Sequence, residues 1–419
     1  PDPTFFCALP TAEQHRQRSM GGSLGKAELA LLDHGVRWWS DQGGAPVSYT
    51  TLDVPLHDGD GSHIHTVEYF SKGGEKGAKR APLVCLHGYG FGTGLYFSTM
   101  PSIVGRWGGR VFALDSLGCG LSSRPRWRLA QGESADVAEV EEFFVGGLER
   151  WRKSMKIDRM VLLGHSIGGY LAVAYAERYP QHVDRLILAS PVGVPHPPAE
   201  LAAAIGDAPF LVRTVLGMWR SGWSPMTLAK LGLGNMMMRG YVSRRFADVD
   251  WIPKDLLQAY LYQNWSGGRN SGGGYAHSTL LVPGGLGELA YARQPLVDRI
   301  PRLRVGRISA IYGEFDWMDH RNMKALKTSL LKRKAEAGLE APLIEVIRVA
   351  SASHQIPIDN PLGFAEAVLD SCNDADAAHG TTVGGSRGAI GRLVPGYPET
   401  LAAAPETLIK ARCSAPPER

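Results

Sequence analysis

The segment Gly164-His165-Ser166-Ile167-Gly168 has the residue types and spacing of a turn that presents a nucleophilic serine. Apolar residues 160–163 precede it, as in a strand, and the apolar segment 170–176 follows it, as in a helix. Glycines two positions before and after the serine allow a tight turn that lifts the hydroxyl above a sheet. The pattern predicts that Ser166 attacks an ester carbonyl, with a chance match in a chain of 51 glycines as the alternative.

A second glycine-rich segment, His87-Gly88-Tyr89-Gly90, ends an earlier apolar run. Enzymes with a serine nucleophile at a strand-to-helix turn place half of their oxyanion hole on such a loop. We therefore predict that the backbone N–H groups of Tyr89 and Ile167 bind the negative charge that develops during the reaction. Taken alone, the segment is equally consistent with an ordinary glycine-rich turn.

A carboxylate and a histidine follow two later apolar runs, in the order that completes such a site. Asp316 lies in a strand-Gly-x-x-Asp arrangement, and His354 follows the last apolar run, at 344–347. The chain order Ser, Asp, His is the one expected for an α/β-hydrolase fold. In that arrangement His354 accepts the proton of Ser166, and Asp316 fixes the imidazole tautomer.

Two further carboxylates lie close in sequence to Asp316 and His354, and each has alternative interpretations. Asp319 is the second candidate for the acid, and is otherwise a helix N-cap or a surface carboxylate. Asp359 forms the spacing H-x-x-x-x-D with His354, which occurs in glycerolipid acyltransferases. The interpretation that we favour is that Asp359 starts the next helix, at Asn360-Pro361.

The surrounding elements predict the α/β class, specifically an α/β-hydrolase fold with a mostly parallel sheet flanked by helices. Continuous apolar runs bounded by glycine are typical of strands buried on both faces, and strands that alternate with helices indicate a parallel sheet. The predicted strands are 47–55, 63–70, 83–86, 110–115, 160–163, 185–189, 307–312 and 344–347, and the clearest helices are 26–39 and 134–156.

The regular alternation stops after 196 and resumes after 300, which predicts a helical lid over 197–300. We expect an N-terminal extension over 1–45, a hydrolase core over 46–196 and 301–373, and a mostly disordered tail over 374–419. The lid suits a flexible acyl chain because it is rich in Trp and Met, although an ordinary helical core is the simpler reading of any one residue. These Trp and Met residues are Met218, Trp219, Trp223, Met226, Met236, Met237, Met238, Trp251 and Trp265. The nearby Arg239, Arg244 and Arg245 contact either phosphate headgroups or solvent.

Composition narrows the functional classes. A net charge of +4 in 419 residues argues against a nucleic-acid partner, which requires a concentrated basic surface. Five cysteines without a C-x-x-C pair indicate neither a disulfide framework nor a zinc site, and fit a reducing, intracellular compartment. No apolar run approaches the roughly 20 residues of a membrane span. The chain begins at Pro1, so a processed or truncated start is expected and a targeting segment is not visible.

Five segments carry a resemblance to a known family: HGYG, LDSLGCGLSSRP, LLGHSIGGYLAVAYAERYPQHVDRLIL, IYGEFDWMD and ASHQIPIDNPLGF. They resemble the α/β-hydrolase branch that contains the animal α/β-hydrolase domain-containing 4 and 5 proteins, their plant relatives and the yeast cardiolipin-specific deacylase. The resemblance spans roughly 45–372. It implies a glycerophospholipid or lysophospholipid acyl hydrolase, with acyl-CoA-dependent acylation of lysophosphatidic acid as a second activity. The animal lipase co-activator of this branch lacks the serine, whereas this chain keeps Ser166.

A lipid acyl hydrolase is therefore the first hypothesis. It needs no cofactor or metal, takes acyl-CoA only as a co-substrate, and meets its lipid in the cytoplasm or at the surface of a membrane or lipid droplet. The competing hypotheses are a non-catalytic co-activator or lipid-droplet scaffold, which has no need of Ser166, Asp316 and His354, and a small-molecule carboxylesterase on the same fold.

Overall fold

The computed structural model of the protein describes residues 22–71, 80–125, 134–199, 201, 217, 234–247, 249, 251–266, 272–283, 290–337, 340–377 and 393–394. Several predictions fall outside the described residues. They concern residues 1–21 of the N-terminal extension, Met218, Trp219, Trp223 and Met226 of the lid, and the tail at 378–392 and 395–419.

The strands of the described chain form one large sheet and one small hairpin. The strands are β1 Val47–Pro55, β2 His63–Ser71, β3 Leu83–Leu86, β4 Val111–Leu114, β5 Met160–His165, β6 Val183–Ala189, β7 Leu281–Pro283, β8 Ala290–Ala292, β9 Arg307–Gly313, β10 Leu343–Val349 and β11 Leu393–Val394. The large sheet has the order β1-β2-β4-β3-β5-β6-β9-β10-β11, and β7 pairs only with β8. Strands β1 and β2 are antiparallel to each other and β2 is antiparallel to β4, whereas all other pairs of the large sheet are parallel.

Helices cover both faces of this sheet, as predicted for a mostly parallel sheet. The helices are α1 Ser23–Asp41, α2 Met100–Trp107, α3 Val137–Ser154, α4 Ile167–Arg178, α5 Gly234–Arg245, α6 Lys254–Ser266, α7 Gly272–Thr279, α8 Leu296–Arg299, α9 His320–Ala337, α10 Ile356–Asp359 and α11 Pro361–Ala377. On one face of the sheet lie α3, α4 and α9, and on the other α1, α2 and α11.

The short central strands show why the sequence gives this arrangement. All four residues of β3 are buried, with Val84 and Leu86 in the core on one face and Leu83 and Cys85 in the core on the other. Successive strand side chains point to opposite faces, so a continuous apolar run is stable only where helices cover both sides. The carboxyl ends of these parallel strands then share one edge, where the loops after β3, β5, β9 and β10 meet.

The chain between β6 and β9 leaves the sheet and returns to it, and its described part contains α5, α6, α7, the β7–β8 hairpin and α8. This insertion packs on α1 of the N-terminal region, where the ring centroids of Trp38 and Trp251 are 4.9 Å apart. The hairpin was not expected from the sequence. Its strands are only three residues long, and the pairing partner cannot be recognised from so short a pattern.

The last described elements extend past residue 373, where the sequence predicts that the core ends. Helix α11 continues to Ala377, beyond residue 373, and Leu393–Val394 pairs with β10. The helix continues because no glycine or proline interrupts the chain between Gly363 and Gly380. No helix in the described parts of the chain is both long enough and apolar enough to cross a membrane.

Candidate active site

Ser166 lies at the sharp turn between β5 and α4. Its backbone has φ 54° and ψ −117°, a conformation that residues with a side chain rarely adopt. The flanking glycines are required by close packing. A Cβ at Gly164 would lie 2.2 Å from the carbonyl oxygen of Gly168, and a Cβ at Gly168 would lie 2.6 Å from that of Leu86. The turn therefore needs the G-x-S-x-G pattern and holds the hydroxyl at the carboxyl edge of the sheet.

Three side chains predicted from separate parts of the chain meet at this turn. His354 Nε2 is 3.1 Å from Ser166 Oγ, and His354 Nδ1 is 3.1 Å from Asp316 Oδ1. Both distances are within hydrogen-bonding reach. A serine hydroxyl that donates to an imidazole, with the other ring nitrogen held by a carboxylate, is the arrangement in which the imidazole can remove the hydroxyl proton.

The side chain of Asp316 is buried and surrounded by hydrogen-bond donors. Its Oδ2 accepts a hydrogen bond from Ser190 Oγ, and its Oδ1 accepts one at 2.9 Å from the backbone N–H of Met318. Burial favours the neutral acid, but His354 and these donors outweigh that effect and lower the pKa of Asp316. The carboxylate is thus kept ionised beside the imidazole.

The alternative acid, Asp319, is engaged elsewhere. Its carboxylate accepts hydrogen bonds from the guanidinium Nε and the backbone N–H of Arg321 at the protein surface. Of the two candidates, Asp316 is therefore the one that His354 contacts, and Asp319 is a surface carboxylate.

The two predicted oxyanion donors border the nucleophile. Ile167 is the first residue of α4, so its backbone N–H has no acceptor within the helix. A Cβ at Gly88, next to Tyr89, would lie 3.2 Å from Ser166 Cβ and 2.6 Å from His165 Nδ1, so this loop passes directly beside the serine. The Tyr89 hydroxyl in turn contacts Ser278 Oγ of α7 at 3.1 Å.

Two side chains of helix α6, in the insertion, form hydrogen bonds with the same loop. The carbonyl oxygen of Gly90 accepts hydrogen bonds from Asn264 Nδ2 at 2.9 Å and from Trp265 Nε1 at 2.8 Å. Asn264 Oδ1 also accepts from the backbone N–H of Gly120, at 3.1 Å. These contacts could not be predicted from the sequence, because they join residues more than a hundred positions apart.

Two further residues next to the three catalytic candidates were missed in the sequence. Trp317 lies against His354, with 4.5 Å between ring centroids, and its side chain is 39% exposed. Ser190 donates a hydrogen bond from its hydroxyl to Asp316. Only the position of Ser190, directly after the β6 apolar run, could have suggested that it lies at the same edge of the sheet.

Asp359 is not a helix-starting residue, which corrects the favoured interpretation. It ends the short helix α10, whereas Asn360 caps α11 by accepting a hydrogen bond at 2.8 Å from Gly363 N. Pro361 occupies the first turn of α11, where its missing N–H leaves no donor unsatisfied. The Asp359 carboxylate instead contacts Ser353 and Arg245. The hydrogen bonds of the His354 ring go to Ser166 and Asp316, so the structure pairs the two ends of the H-x-x-x-x-D spacing with different residues.

Three buried histidines lie beside or behind the site and are neutral because burial lowers their pKa values. For His87 the pKa falls to about 4, for His165 burial and the nearby His354 lower it to about 3, and for His277 it lies well below its usual value. His277 stacks on Phe144 with 4.5 Å between centroids, and neither of its ring nitrogens has a hydrogen-bond partner among the described residues.

One buried group has the residue types of a metal site. The ligating atoms of Glu28, His65 and Asp115 all lie within 4.8 Å of one another. His65, however, bridges Glu28 at 2.9 Å and Asp53 at 2.8 Å. Burial disfavours the charged imidazolium, but the two carboxylates stabilise it more strongly, so the pKa of His65 is raised. Asp115 binds the backbone N–H groups of Thr93 and Leu121. Since all of these atoms already have partners, we assign the group a structural role behind the loop at 91–95.

The order of strands in the sheet, the strained serine between β5 and α4, and the insertion after β6 define the α/β-hydrolase fold. The chain belongs to the corresponding family, because a family model described as the alpha/beta hydrolase fold matches residues 81–361, more than half of the chain.

Curated relatives place the chain within the branch that the sequence motifs predicted. An Arabidopsis thaliana protein named 1-acylglycerol-3-phosphate O-acyltransferase is 31% identical over 76% of this chain and 72% of its own length. A Mus musculus protein named (Lyso)-N-acylphosphatidylethanolamine lipase is 31% identical over 71% of this chain and 80% of its own length. Among solved structures, Cfl2 from Burkholderia cenocepacia matches with a TM-score of 0.54 and 18% identity, over 77% of this chain and 95% of that one. This last similarity concerns the fold alone.

Proposed function

We propose that the protein is a serine acyl hydrolase that releases fatty acid from glycerophospholipids or lysophospholipids. The observation that carries the proposal is the hydrogen-bonded series from Ser166 through His354 to Asp316 at a strained strand-to-helix turn. The relatives named as a lipase and as a glycerolipid acyltransferase support the lipid substrate class.

The reaction uses each group in turn. Ser166 Oγ attacks the ester carbonyl while His354 Nε2 takes its proton, and Asp316 stabilises the imidazolium. The N–H groups of Ile167 and Tyr89 bind the oxyanion, and His354 returns its proton to the departing alcohol. Water activated by the same imidazole then attacks the acyl-enzyme and releases the fatty acid.

Acyl-CoA-dependent acylation of lysophosphatidic acid is the second candidate function. It is supported by the name of the Arabidopsis relative, and it differs from hydrolysis only in the acyl donor and acceptor. Incubation with oleoyl-CoA and lysophosphatidic acid distinguishes the two. Phosphatidic acid is the product of transfer, and free oleate is the product of hydrolysis.

The exposed side chains of helix α5 support the proposal that the protein binds to a lipid surface. Met236 and Met237 are 68% and 37% exposed, and Arg239 and Arg244 on the same helix are also exposed. Apolar and cationic side chains together favour binding to an anionic membrane or lipid droplet. Sedimentation with vesicles of phosphatidylcholine, with and without phosphatidylserine, tests this: binding should require the anionic lipid and weaken in Arg239→Ser/Arg244→Ser.

The substrate class is tested by chain length. Each methylene transferred from water to an apolar site contributes about 0.8 kcal/mol, so kcat/KM should rise with acyl length if the chain is bound in the transition state. The measurement compares p-nitrophenyl esters of increasing length, from acetate to palmitate, with lysophosphatidylcholine and lysophosphatidic acid in detergent. A maximum at acetate or butyrate without turnover of lysolipids would favour the small-molecule esterase. No turnover and no labelling of Ser166 by a fluorophosphonate would favour the non-catalytic co-activator.

A further inference from the structure

Asp359 lies at the end of α10 with its side chain only 6% exposed, yet it is a carboxylate with several donors. It accepts hydrogen bonds at 2.9 Å from both the backbone N–H and the hydroxyl of Ser353. Arg245 Nη2 lies 2.8 Å and 2.6 Å from its two oxygens and also contacts the Ser353 hydroxyl. Asp359 therefore fixes the residue directly before His354.

Arg245 comes from a different part of the fold. It is the last residue of α5, in the insertion, and its guanidinium lies 4.8 Å from the ring centroid of Phe246, which is buried. The ion pair with Asp359 joins residues 114 positions apart. The end of α5 is thus attached to the loop that carries His354.

The other side of this loop is held by the core. The backbone carbonyl of His354 contacts His165 Nε2 at 2.7 Å, and the carbonyl of Ala352 accepts a hydrogen bond from Phe315 N at 2.8 Å. Because Ser353 and His354 are adjacent, a shift of the Ser353 amide moves the imidazole relative to Ser166. Small misplacements of a catalytic group lower the rate strongly.

We infer that Arg245, Asp359 and Ser353 form a clamp that couples helix α5 of the insertion to the loop of the general base. The inference deepens the proposed function and rests on it, since it takes His354 as the base. Asp359 is then a positioning residue rather than part of a separate acyltransferase centre. Hydrolysis and acyl transfer should both depend on it, to the same extent.

Charge removal in three combinations tests the clamp. Arg245→Met leaves a nearly buried carboxylate without its cation, which is strongly unfavourable. We expect kcat for a p-nitrophenyl ester to fall on the order of 10- to 100-fold, with a smaller change in KM. Asp359→Asn should cost less, because its amide oxygen can still accept from Ser353 N. Arg245→Met/Asp359→Asn should recover most of the activity lost in Arg245→Met, because the unpaired charge is gone.

Three measurements accompany the cycle. Arg333→Met, on the exposed surface of α9, is the matched control and should retain wild-type kcat. The rate at which a fluorophosphonate labels Ser166 should fall in parallel with kcat, which a change in substrate binding alone would not produce. Where Arg245→Met does not fold, Ser353→Ala, which removes only the hydroxyl contacts, should still lower kcat several-fold.

Three results would overturn the clamp. The first is wild-type kcat in Arg245→Met, and the second is a double variant no faster than Arg245→Met. The third is a selective loss of acyl transfer in Asp359→Asn with hydrolysis intact, which would indicate a separate acyltransferase centre. Failure of the proposed function is distinguished by the wild-type protein. Without serine chemistry it would be neither labelled at Ser166 nor active on any ester, and with the wrong substrate class it would hydrolyse p-nitrophenyl esters but not lysolipids, which leaves the test of the clamp unaffected.

Discussion

The imidazole of His165, next to the candidate nucleophile, contacts the backbone carbonyl of His354, with Nε2 2.7 Å from the oxygen. A carbonyl oxygen only accepts hydrogen bonds, so His165 Nε2 carries the proton and donates it. His165 Nδ1 faces Gly88 and has no partner among the described residues. His165 is therefore a neutral, fixed donor that supports the loop carrying His354.

Loss of this donor should lower the rate without changing the chemistry. His165→Leu leaves the His354 carbonyl without its hydrogen bond, and we expect kcat to fall about 10- to 100-fold through misplacement of the imidazole. His165→Gln retains an N–H donor near the Nε2 position and should lose less. The two variants are compared by steady-state kinetics on a p-nitrophenyl ester. Equal losses in both would show that the hydrogen bond is not what matters.

The two carboxylates after β9 should differ greatly in their effect on catalysis. Asp316→Asn replaces the acceptor that holds His354 Nδ1–H and should lower kcat by about four orders of magnitude. Asp319→Asn affects only a surface contact with Arg321 and should stay within about two-fold of wild type, since exposed ion pairs contribute little. Both variants are assayed on the same ester at saturating substrate. The reverse ranking would make Asp319 the acid.

Because the backbone of Ser166 is strained, two substitutions at this position should lower activity equally but differ in their effect on stability. Ser166→Ala and Ser166→Gly should each lower turnover on the order of a million-fold, because the serine acts as a unit with its base. Glycine adopts φ 54° without steric strain, whereas alanine does not. We therefore expect Ser166→Gly to be about 1 kcal/mol more stable than Ser166→Ala, as measured by urea denaturation. An alanine variant of equal or greater stability would indicate that the turn stores no strain.

Acid should destabilise the protein through its buried neutral histidines. His87, His165 and His277 have folded pKa values below the usual 6.5, so the unfolded chain binds more protons than the folded chain between their folded values and pH 6.5. The free energy of unfolding has its full value above pH 6.5 and decreases as the pH falls, by up to about 1.4 kcal/mol per pH unit for each histidine. Urea denaturation at a series of pH values from 4 to 7 measures this slope.

A single substitution at His277 provides the control for this dependence of stability on pH. His277→Phe keeps the stacking on Phe144 and removes two unpaired ring nitrogens, whose burial is unfavourable. The variant should be about 1 kcal/mol more stable at pH 5 and show a shallower pH dependence. A destabilised variant with an unchanged slope would mean that His277 has a hydrogen-bond partner in solution.

Strands β1 to β6, β9 and β10 and the three catalytic candidates were accessible to sequence reasoning for the same physical reason. Apolar runs mark buried strands, and polar residues at the ends of those runs must share one edge of a parallel sheet. Ser166, Asp316 and His354 all occupy such positions. Asp359 was misassigned because spacing along the chain does not reveal which distant side chain occupies a carboxylate. The same limit applies to Glu28, His65 and Trp265, whose partners come from elements that are far away in sequence.

The position of the insertion has a consequence for the newly synthesised chain. Strands β6 and β9 are neighbours in the sheet, yet more than a hundred residues separate them, and Ser166 and His354 lie 188 positions apart. A ribosome-bound chain that has completed β5 and α4 already holds the serine but has neither its acid nor its base. Such a chain has no general base for the serine until the last loop of the core has left the ribosome exit tunnel. Under the proposed function, the order of synthesis therefore keeps an incomplete chain from attacking esters through Ser166.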